Sequence, residues 1–188
     1  MSLQDRIIDH YYKSPELREI LVIHSRKVAE KALAVCDAHP ELGLDKAIVE
    51  TAAMLHDIGI IRCDARGILC CGTEPYICHG RIGAEMLRHD ASLFGTTKDD
   101  IEVFARVCER HTGAGLTRNQ IVSQGLPLPH EDFLPETTME KIVCYADKFF
   151  SKTHPDREKP LEKVIGSLRK FGEDGVERFM KWHERFAG

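Results

Sequence analysis

The sequence AAMLHDIGII, at residues 52–61, places a histidine and an acid side by side in an otherwise apolar run. His56 and Asp57 would therefore enter the interior of the fold together. Removing two such polar groups from water costs free energy unless each finds a partner there. A chain with this feature must fold so that other polar groups, or a cation, meet the pair in the core.

The spacing of apolar residues predicts helices along most of the chain. Ser14 and Pro15 are typical of a helix cap and a first-turn proline, and Asp45 can cap the next helix. Within the helical segments, apolar residues recur at intervals of three and four. We predict helices over residues 15–38, 46–55, 79–88, 98–111, 138–152, 161–171 and 175–186. No alternating pattern indicates a strand, so the predicted fold class is all-α.

The predicted helices are joined by loops of uneven length, which argues against a regular up-and-down bundle. The largest irregular segments are residues 59–77 and the proline-rich stretch 124–137. We predict a single compact, irregular helical domain over residues 1–188. Its site-bearing core would cover about residues 20–152, and C-terminal helices at residues 158–186 would pack back on that core.

Composition narrows the class of protein. A net charge of −4, with 43% hydrophobic and 30% charged residues, is ordinary for a soluble globular chain and lacks the basic excess of a nucleic-acid groove. The sequence has no apolar run of about 18 residues and begins with a charged segment, which predicts neither a membrane span nor a signal peptide. We expect a cytoplasmic monomer or homodimer with no nucleic-acid and no membrane partner.

The chain contains seven cysteines, which we expect to be reduced in a cytoplasmic protein. Cys36, Cys108 and Cys144 fall among apolar residues of predicted helices and are typical of core positions. The other four lie between residues 63 and 78. Structural zinc sites use spacings such as Cys-x2-Cys, and the adjacent Cys70–Cys71 pair is a poor chelate, so loop and core cysteines are favoured over a zinc site.

Further metal-capable residues lie on the apolar faces of other segments. His24 lies in the helix before the His-Asp pair, His79 and His111 lie at the ends of later helices, and Asp147 follows on another. Taken singly, each is typical of a hydrogen-bonded core residue. Together they exceed what a core of this size can leave unpaired, so a shared cation is favoured. Imidazole with carboxylate suits Fe, Mn, Co, Ni or Zn.

These residues resemble the signature of the HD-domain superfamily of metal-dependent phosphohydrolases. That signature is a distant His, an adjacent His-Asp pair and a distant Asp, matched here in VIHSRKVAEKA, LHDIG and YADKF. The continuation HDIG is the form that names one large subgroup. CHGRIGAEML and CERHTGAG match the two additional histidines that many members insert. The order and the length are similar to those of the small helical diadenosine tetraphosphate hydrolases.

The resemblance implies a ligand set. His24, His56, Asp57 and Asp147 would hold a first metal, and Asp57 would bridge to a second metal completed by His79 and His111. It implies one or two divalent transition metal ions, with Fe or Mn favoured.

The resemblance also implies an activity. A metal-activated hydroxide, positioned through Asp57, would cleave a phosphoester or phosphoanhydride bond in a small phosphorylated metabolite, with a nucleotide or dinucleotide favoured. Lys148 and Arg81 would bind its phosphates, with Arg62 and Arg66 as further candidates. Two alternatives stay open at this point. One is a di-iron HD-domain oxygenase on the same ligands, and the other is a non-catalytic nucleotide- or phosphate-binding module.

Overall fold

The fold is that of a computed structural model, which describes residues 1–155 and 157–187. In this part of the chain nine α-helices and two very short strands form. The helices are α1 Leu3–Tyr11, α2 Pro15–Ala38, α3 Lys46–Leu55, α4 His79–His89, α5 Lys98–Arg110, α6 Arg118–Ser123, α7 Thr138–Asp147, α8 Leu161–Leu168 and α9 Glu173–Phe186. The strands β1 Asp64–Ala65 and β2 Cys70–Cys71 pair antiparallel. The prediction of an all-α fold is confirmed.

Helix starts follow the capping residues seen in the sequence. The side chain of Ser14 accepts a hydrogen bond from the backbone of Leu17, and the side chain of Asp45 accepts from Ala47 and Ile48. The spacing of apolar residues does not predict two of the helices, α1 and the six-residue α6. Both begin with a capping box, at Ser2 and at Thr117, and this is the sequence signal that marks their starts.

One predicted helix is too long. The segment expected to be helical over residues 138–152 ends at Asp147. Beyond it the backbone amides of Lys148, Phe149 and Phe150 bond to carbonyls three residues earlier, so the chain tightens into turns. The position at which this helix ends sets the direction of the side chains that follow Asp147.

The core forms where α2 packs against α3 and α7, while α5 packs against α3, α4 and α7. Close contact around the His-Asp pair depends on small residues. A Cβ at Gly59 would lie 2.2 Å from the carbonyl oxygen of His79, and a Cβ at Gly80 would lie 2.4 Å from that of Cys108. Glycine at these two positions lets α4 approach both the HDIG turn and α5.

The C-terminal helices lie against this core. α9 contacts α7 and α8, and its Phe179 ring stacks on Tyr145 of α7 with ring centres 5.3 Å apart. Cys36, Cys108 and Cys144 are buried free thiols, as the sequence predicted. Across the residues the structure describes, we find no helix with the length and apolarity that crossing a bilayer requires.

Candidate metal centre

Six polar side chains from five segments of the chain meet in the interior. His24 lies within α2, His56 ends α3 and Asp57 follows it. His79 begins α4, His111 follows the last residue of α5, and Asp147 is the last residue of α7. Five of the six are buried and Asp147 is nearly so. The structure thus brings together all six residues that the sequence singled out.

One oxygen of Asp57 faces the first group of side chains. Its Oδ2 lies 3.1 Å from Nε2 of His24 and 3.0 Å from Nε2 of His56. Oδ1 of Asp147 lies 3.1 Å and 3.4 Å from the same two nitrogens. These four ligand-type residues lie close enough to share one ion.

The other oxygen of Asp57 faces a second group. Its Oδ1 lies 3.3 Å from Nε2 of His79 and 3.4 Å from Nε2 of His111. These two imidazole nitrogens are 2.9 Å apart. The carboxylate of Asp57 therefore lies between two ligand groups and presents one oxygen to each.

Backbone carbonyls fix the orientation of three of the imidazoles. Nδ1 of His56, His79 and His111 lies 2.6 Å from the carbonyl oxygen of Ala53, Tyr76 and Cys108 respectively. A carbonyl can only accept, so each Nδ1 carries the proton. In the neutral ring Nε2 then carries no proton, and its lone pair points toward Asp57.

This orientation leaves the two facing nitrogens of His79 and His111 without a proton. Burial lowers the pKa of both rings, that of His79 to about 3, so their Nε2 lone pairs face each other at 2.9 Å. Two facing lone pairs are repulsive unless a cation lies between them. His56 Nε2 and both oxygens of Asp57 form no well-oriented hydrogen bond despite the short distances around them.

Burial and charge act in opposite directions on the other members. Burial works to lower the pKa of His56, but the carboxylates of Asp57 and Asp147 outweigh it and raise that pKa to about 9. Burial likewise works to raise the pKa of Asp57, and His56 and Lys152 hold it well below its usual range. Both acids are therefore ionised at neutral pH and available as ligands.

The distances fit transition metal ions. Donor atoms bound to one ion at about 2.0–2.2 Å lie about 3.0–3.5 Å from one another. The separations of 2.9–3.4 Å within each group agree with this spacing. Mixed imidazole and carboxylate donors suit divalent transition metals. The two clusters could hold such ions, and no cysteine belongs to either.

The metal-ligand cluster forms the floor of a pocket of about 820 Å³. Four lysines line this pocket: Lys148, Lys152, Lys159 and Lys170. Asp147 is the one carboxylate among the lining residues that the structure describes. The pocket is thus locally positive in a chain whose net charge is −4.

The other predicted site residues divide into two groups. Lys148 reaches the floor, where its ammonium lies 2.5 Å from Oδ2 of Asp147 and donates to the carbonyl of His111 at 2.9 Å. Tyr76 also lines the pocket, and its ring stacks on the ring of His79. Arg81 pairs instead with Glu85 on α4, and neither it nor Arg62 nor Arg66 is among the lining residues.

Sequence reasoning missed Lys152, whose ammonium lies 2.5 Å from Oδ2 of Asp57. On the predicted helix, Lys152 would have pointed about 140° away from Asp147. The early end of α7 removes that helix and turns the side chain into the site. No local sequence signal marks this change, because it depends on where the helix stops.

The helical fold and the cluster of histidines and aspartates are those of a metal-binding HD-type protein. The comparison with family models gives the same result. The chain belongs to the HD-domain family, whose model matches residues 21–151. The resemblance drawn from the six-residue signature is confirmed at this level.

Two similar proteins carry a function in their names. A tRNA (cytidine(56)-2'-O)-methyltransferase of Thermoplasma volcanium is 33% identical over 167 residues, covering 88% of this chain and 41% of that protein. The protein of the same name from Picrophilus torridus is 31% identical over 176 residues, covering 93% and 44%. The chain spans less than half the length of these two relatives.

A third relative is shorter. An uncharacterized protein of Methanocaldococcus jannaschii is 36% identical over 155 residues, covering 76% of this chain and 79% of that protein. Among solved structures, none matches the chain significantly.

These comparisons correct the predicted activity. The expected phosphohydrolase acting on a small phosphorylated metabolite is wrong, because the relatives from Thermoplasma volcanium and Picrophilus torridus are named tRNA methyltransferases. The error has a physical origin. A ligand set of histidines and carboxylates determines which ions bind, whereas substrate choice depends on pocket walls that the motifs do not encode.

The expected absence of a nucleic-acid partner is wrong on the same finding. That expectation used the net charge of the whole chain. A sum over the chain is insensitive to a local concentration of one sign, such as the four lysines of the pocket.

Proposed function

We propose that this chain is a metal-dependent enzyme domain that acts on RNA, with tRNA as its substrate. The observation that carries the proposal is the carboxylate of Asp57, held between two histidine groups at the floor of a lysine-lined pocket. The names of the Thermoplasma volcanium and Picrophilus torridus relatives support tRNA as the molecule involved.

The alignment lengths support a division of labour in the longer relatives. This chain covers only 41% and 44% of the length of these two relatives, and the HD model matches residues 21–151 of this chain. We assign the methyl transfer of their names to the remaining length and the metal-dependent step to the HD part. The relative from Methanocaldococcus jannaschii, of which this chain covers 79%, supports an HD part that also occurs in a short protein.

The ligand assignment follows from the contacts of Asp57. His24, His56, Asp57 and Asp147 would hold one divalent ion, and Asp57, His79 and His111 would hold a second. Iron or manganese suits this mixture of nitrogen and oxygen donors best, and Co, Ni or Zn would also fit it. A bound divalent ion supplies Lewis acidity at the floor of the pocket.

The chain's own residues position the substrate. The carbonyls of Ala53, Tyr76 and Cys108 keep three imidazoles aimed at the ligand cluster. The ammonium groups of Lys148 and Lys152 are held beside Asp147 and Asp57, where they can bind phosphate oxygens of RNA next to the reacting atoms. The charged side chains at this floor are at most 13% exposed.

The test uses the metal-loaded chain and unmodified tRNA. We expect one to two equivalents of transition metal in the purified protein, binding of tRNA, and a metal-dependent mass change in the RNA detected by mass spectrometry. Asp57→Asn should lose the metal and the mass change while keeping a helical spectrum. Lys148→Ala should weaken tRNA binding by roughly threefold to tenfold, whereas Arg81→Ala, outside the pocket, serves as the matched control and should bind as the wild type does.

Three results would reject this function. The first is that the protein holds no metal after purification without chelators. The second is that it binds tRNA no more tightly than it binds an RNA duplex of unrelated sequence. The third is that the mass of the RNA stays unchanged when Fe or Mn is present. Transfer of a methyl group from S-adenosylmethionine by this chain alone would contradict the division of labour.

A further inference from the structure

The lysines of the pocket differ in what already binds them. The ammonium groups of Lys148 and Lys152 lie 2.5 Å from Asp147 and Asp57, and that of Lys159 donates to the backbone carbonyls of Lys148 and Phe150 at 3.2 and 2.9 Å. These three lysines therefore also organise the site itself. Lys170 is different, since no carboxylate of the described residues lies within ion-pair distance of it.

Lys170 lies beside an aromatic ring that the fold holds in place. Its ammonium is 4.8 Å from the centre of the Phe171 ring. The carbonyl of Phe171 accepts hydrogen bonds from Nε2 of Gln120 at 2.7 Å and Nε2 of Gln124 at 3.0 Å. The ring packs against Gly113, where a Cβ would come within 3.1 Å of it. We name Lys170 and Phe171 the C-terminal arm of the pocket.

The C-terminal arm lies outside the part of the chain that the HD model matches, which ends at residue 151. It nevertheless lines the same pocket as His24, His79 and His111. The arm is thus an addition to the ligand cluster, placed on the wall rather than on the floor. An ammonium without a carboxylate partner, next to a fixed aromatic ring, is the pair of groups that binds a phosphate and stacks on a base.

The size of the pocket limits the form of RNA that can enter. A pocket of about 820 Å³ has room for a ligand of drug size, which is roughly one or two nucleotides. A base inside a duplex cannot reach groups at the floor of such a pocket, so we expect an unpaired or extruded nucleotide to enter it.

We propose that the C-terminal arm recognises an unpaired nucleotide of the RNA substrate, with Lys170 on its phosphate and the Phe171 ring against its base. This inference rests on the proposed action on RNA and names the form of RNA that the site takes. The shared chemistry, a nucleoside phosphate, could come from a single-stranded segment of RNA or from a free nucleotide. A single-stranded segment is favoured, because several lysines line the pocket and its volume exceeds that of one nucleotide.

The experiment measures binding of a fluorescent six-nucleotide RNA, the same strand in a blunt duplex, and a free nucleoside monophosphate as competitor, each over a range of salt concentrations. We expect the single strand to bind at least tenfold more tightly than the duplex. Lys170→Ala should reduce the slope of log K against log salt by about 0.7, the amount for one phosphate contact on a single strand. Phe171→Leu should weaken binding roughly tenfold with little change in slope.

Matched variants separate this role from folding. Lys163→Ala removes an exposed lysine of α8 that is not among the lining residues, and it should leave both affinity and slope unchanged. Lys170→Arg keeps the charge and should retain the slope. The thermal midpoint of Lys170→Ala should equal that of the wild type, because this side chain is exposed.

The outcomes distinguish this inference from the proposed function. Three outcomes would reject the proposed role of the C-terminal arm while tRNA binding persists. They are equal affinity for duplex and single strand, a free nucleotide that binds as tightly as the oligonucleotide, and a Lys170→Ala variant with an unchanged salt slope. Loss of all RNA binding in the wild type would reject the proposed function and the arm together.

Discussion

Among the residues that the structure describes, two acids are buried, Asp57 and Glu140, and their surroundings differ. Glu140 in α7 is 3% exposed, and each of its oxygens has donors: Nε of Arg106 lies 2.9 Å from one, and the backbone nitrogen of Glu136 lies 2.7 Å from the other. Asp57 is fully buried, and its Oδ2 lies 2.5 Å from the ammonium of Lys152 and 3.0 Å from Nε2 of His56. Its oxygens are left without well-oriented donors.

The difference separates a structural acid from a functional one. The partners of Glu140 complete its hydrogen bonds within the chain, so it stabilises the start of α7 and the contact with α5. The partners of Asp57 form no well-oriented hydrogen bond with it, so both of its oxygens stay available to a metal ion. Burial alone says nothing about function, whereas the direction of the neighbouring donors does.

The largest expected effect concerns metal binding. Asp57→Asn removes the carboxylate shared by both ligand groups, so metal affinity should fall by about 100-fold or more. Glu140→Gln should keep the wild-type metal content, because no ligand-type atom of the cluster touches it. Elemental analysis after purification without chelators checks both variants. Equal metal loss in the two variants would show that the different surroundings of these acids do not predict which of them binds metal.

The next effect is thermal. A saturating metal at about 100 times its dissociation constant stabilises the folded chain by about 2.7 kcal/mol, which corresponds to a rise of about 5–10 °C in the melting temperature. The rise should occur in the wild type and in Glu140→Gln, and it should be absent in Asp57→Asn. Differential scanning fluorimetry with added Mn²⁺ measures it. A rise in Asp57→Asn would place the stabilising ion elsewhere in the protein.

The smallest effect is on the metal-free chain. Glu140→Gln replaces charge-assisted hydrogen bonds with neutral ones and should cost about 2 kcal/mol of unfolding free energy in urea. Glu19→Gln, on the exposed face of α2, is the control and should change little. A loss in Glu140→Gln no larger than that in Glu19→Gln would contradict our description of the surroundings of Glu140.

The surrounding helices show which elements a sequence can specify. Periodicity and caps located α2, α4, α5 and α9 to within about two residues of their observed ends. The failures have local causes. α6 is only six residues long and too short for a periodic signal, and α7 ends at Asp147 although its apolar pattern continues through Phe149 and Phe150.

The sequence by itself determined the fold class, the family and the six residues that meet at the centre. It could do so because burying a polar residue on an apolar face is costly, which leaves a periodic signal that can be read along the chain. Only the tertiary structure decided that the two oxygens of Asp57 face different groups, and that Lys152 and Lys170 enter the same pocket while Arg81 does not. Those outcomes depend on helix ends and on the distances between packed segments, which no local pattern encodes.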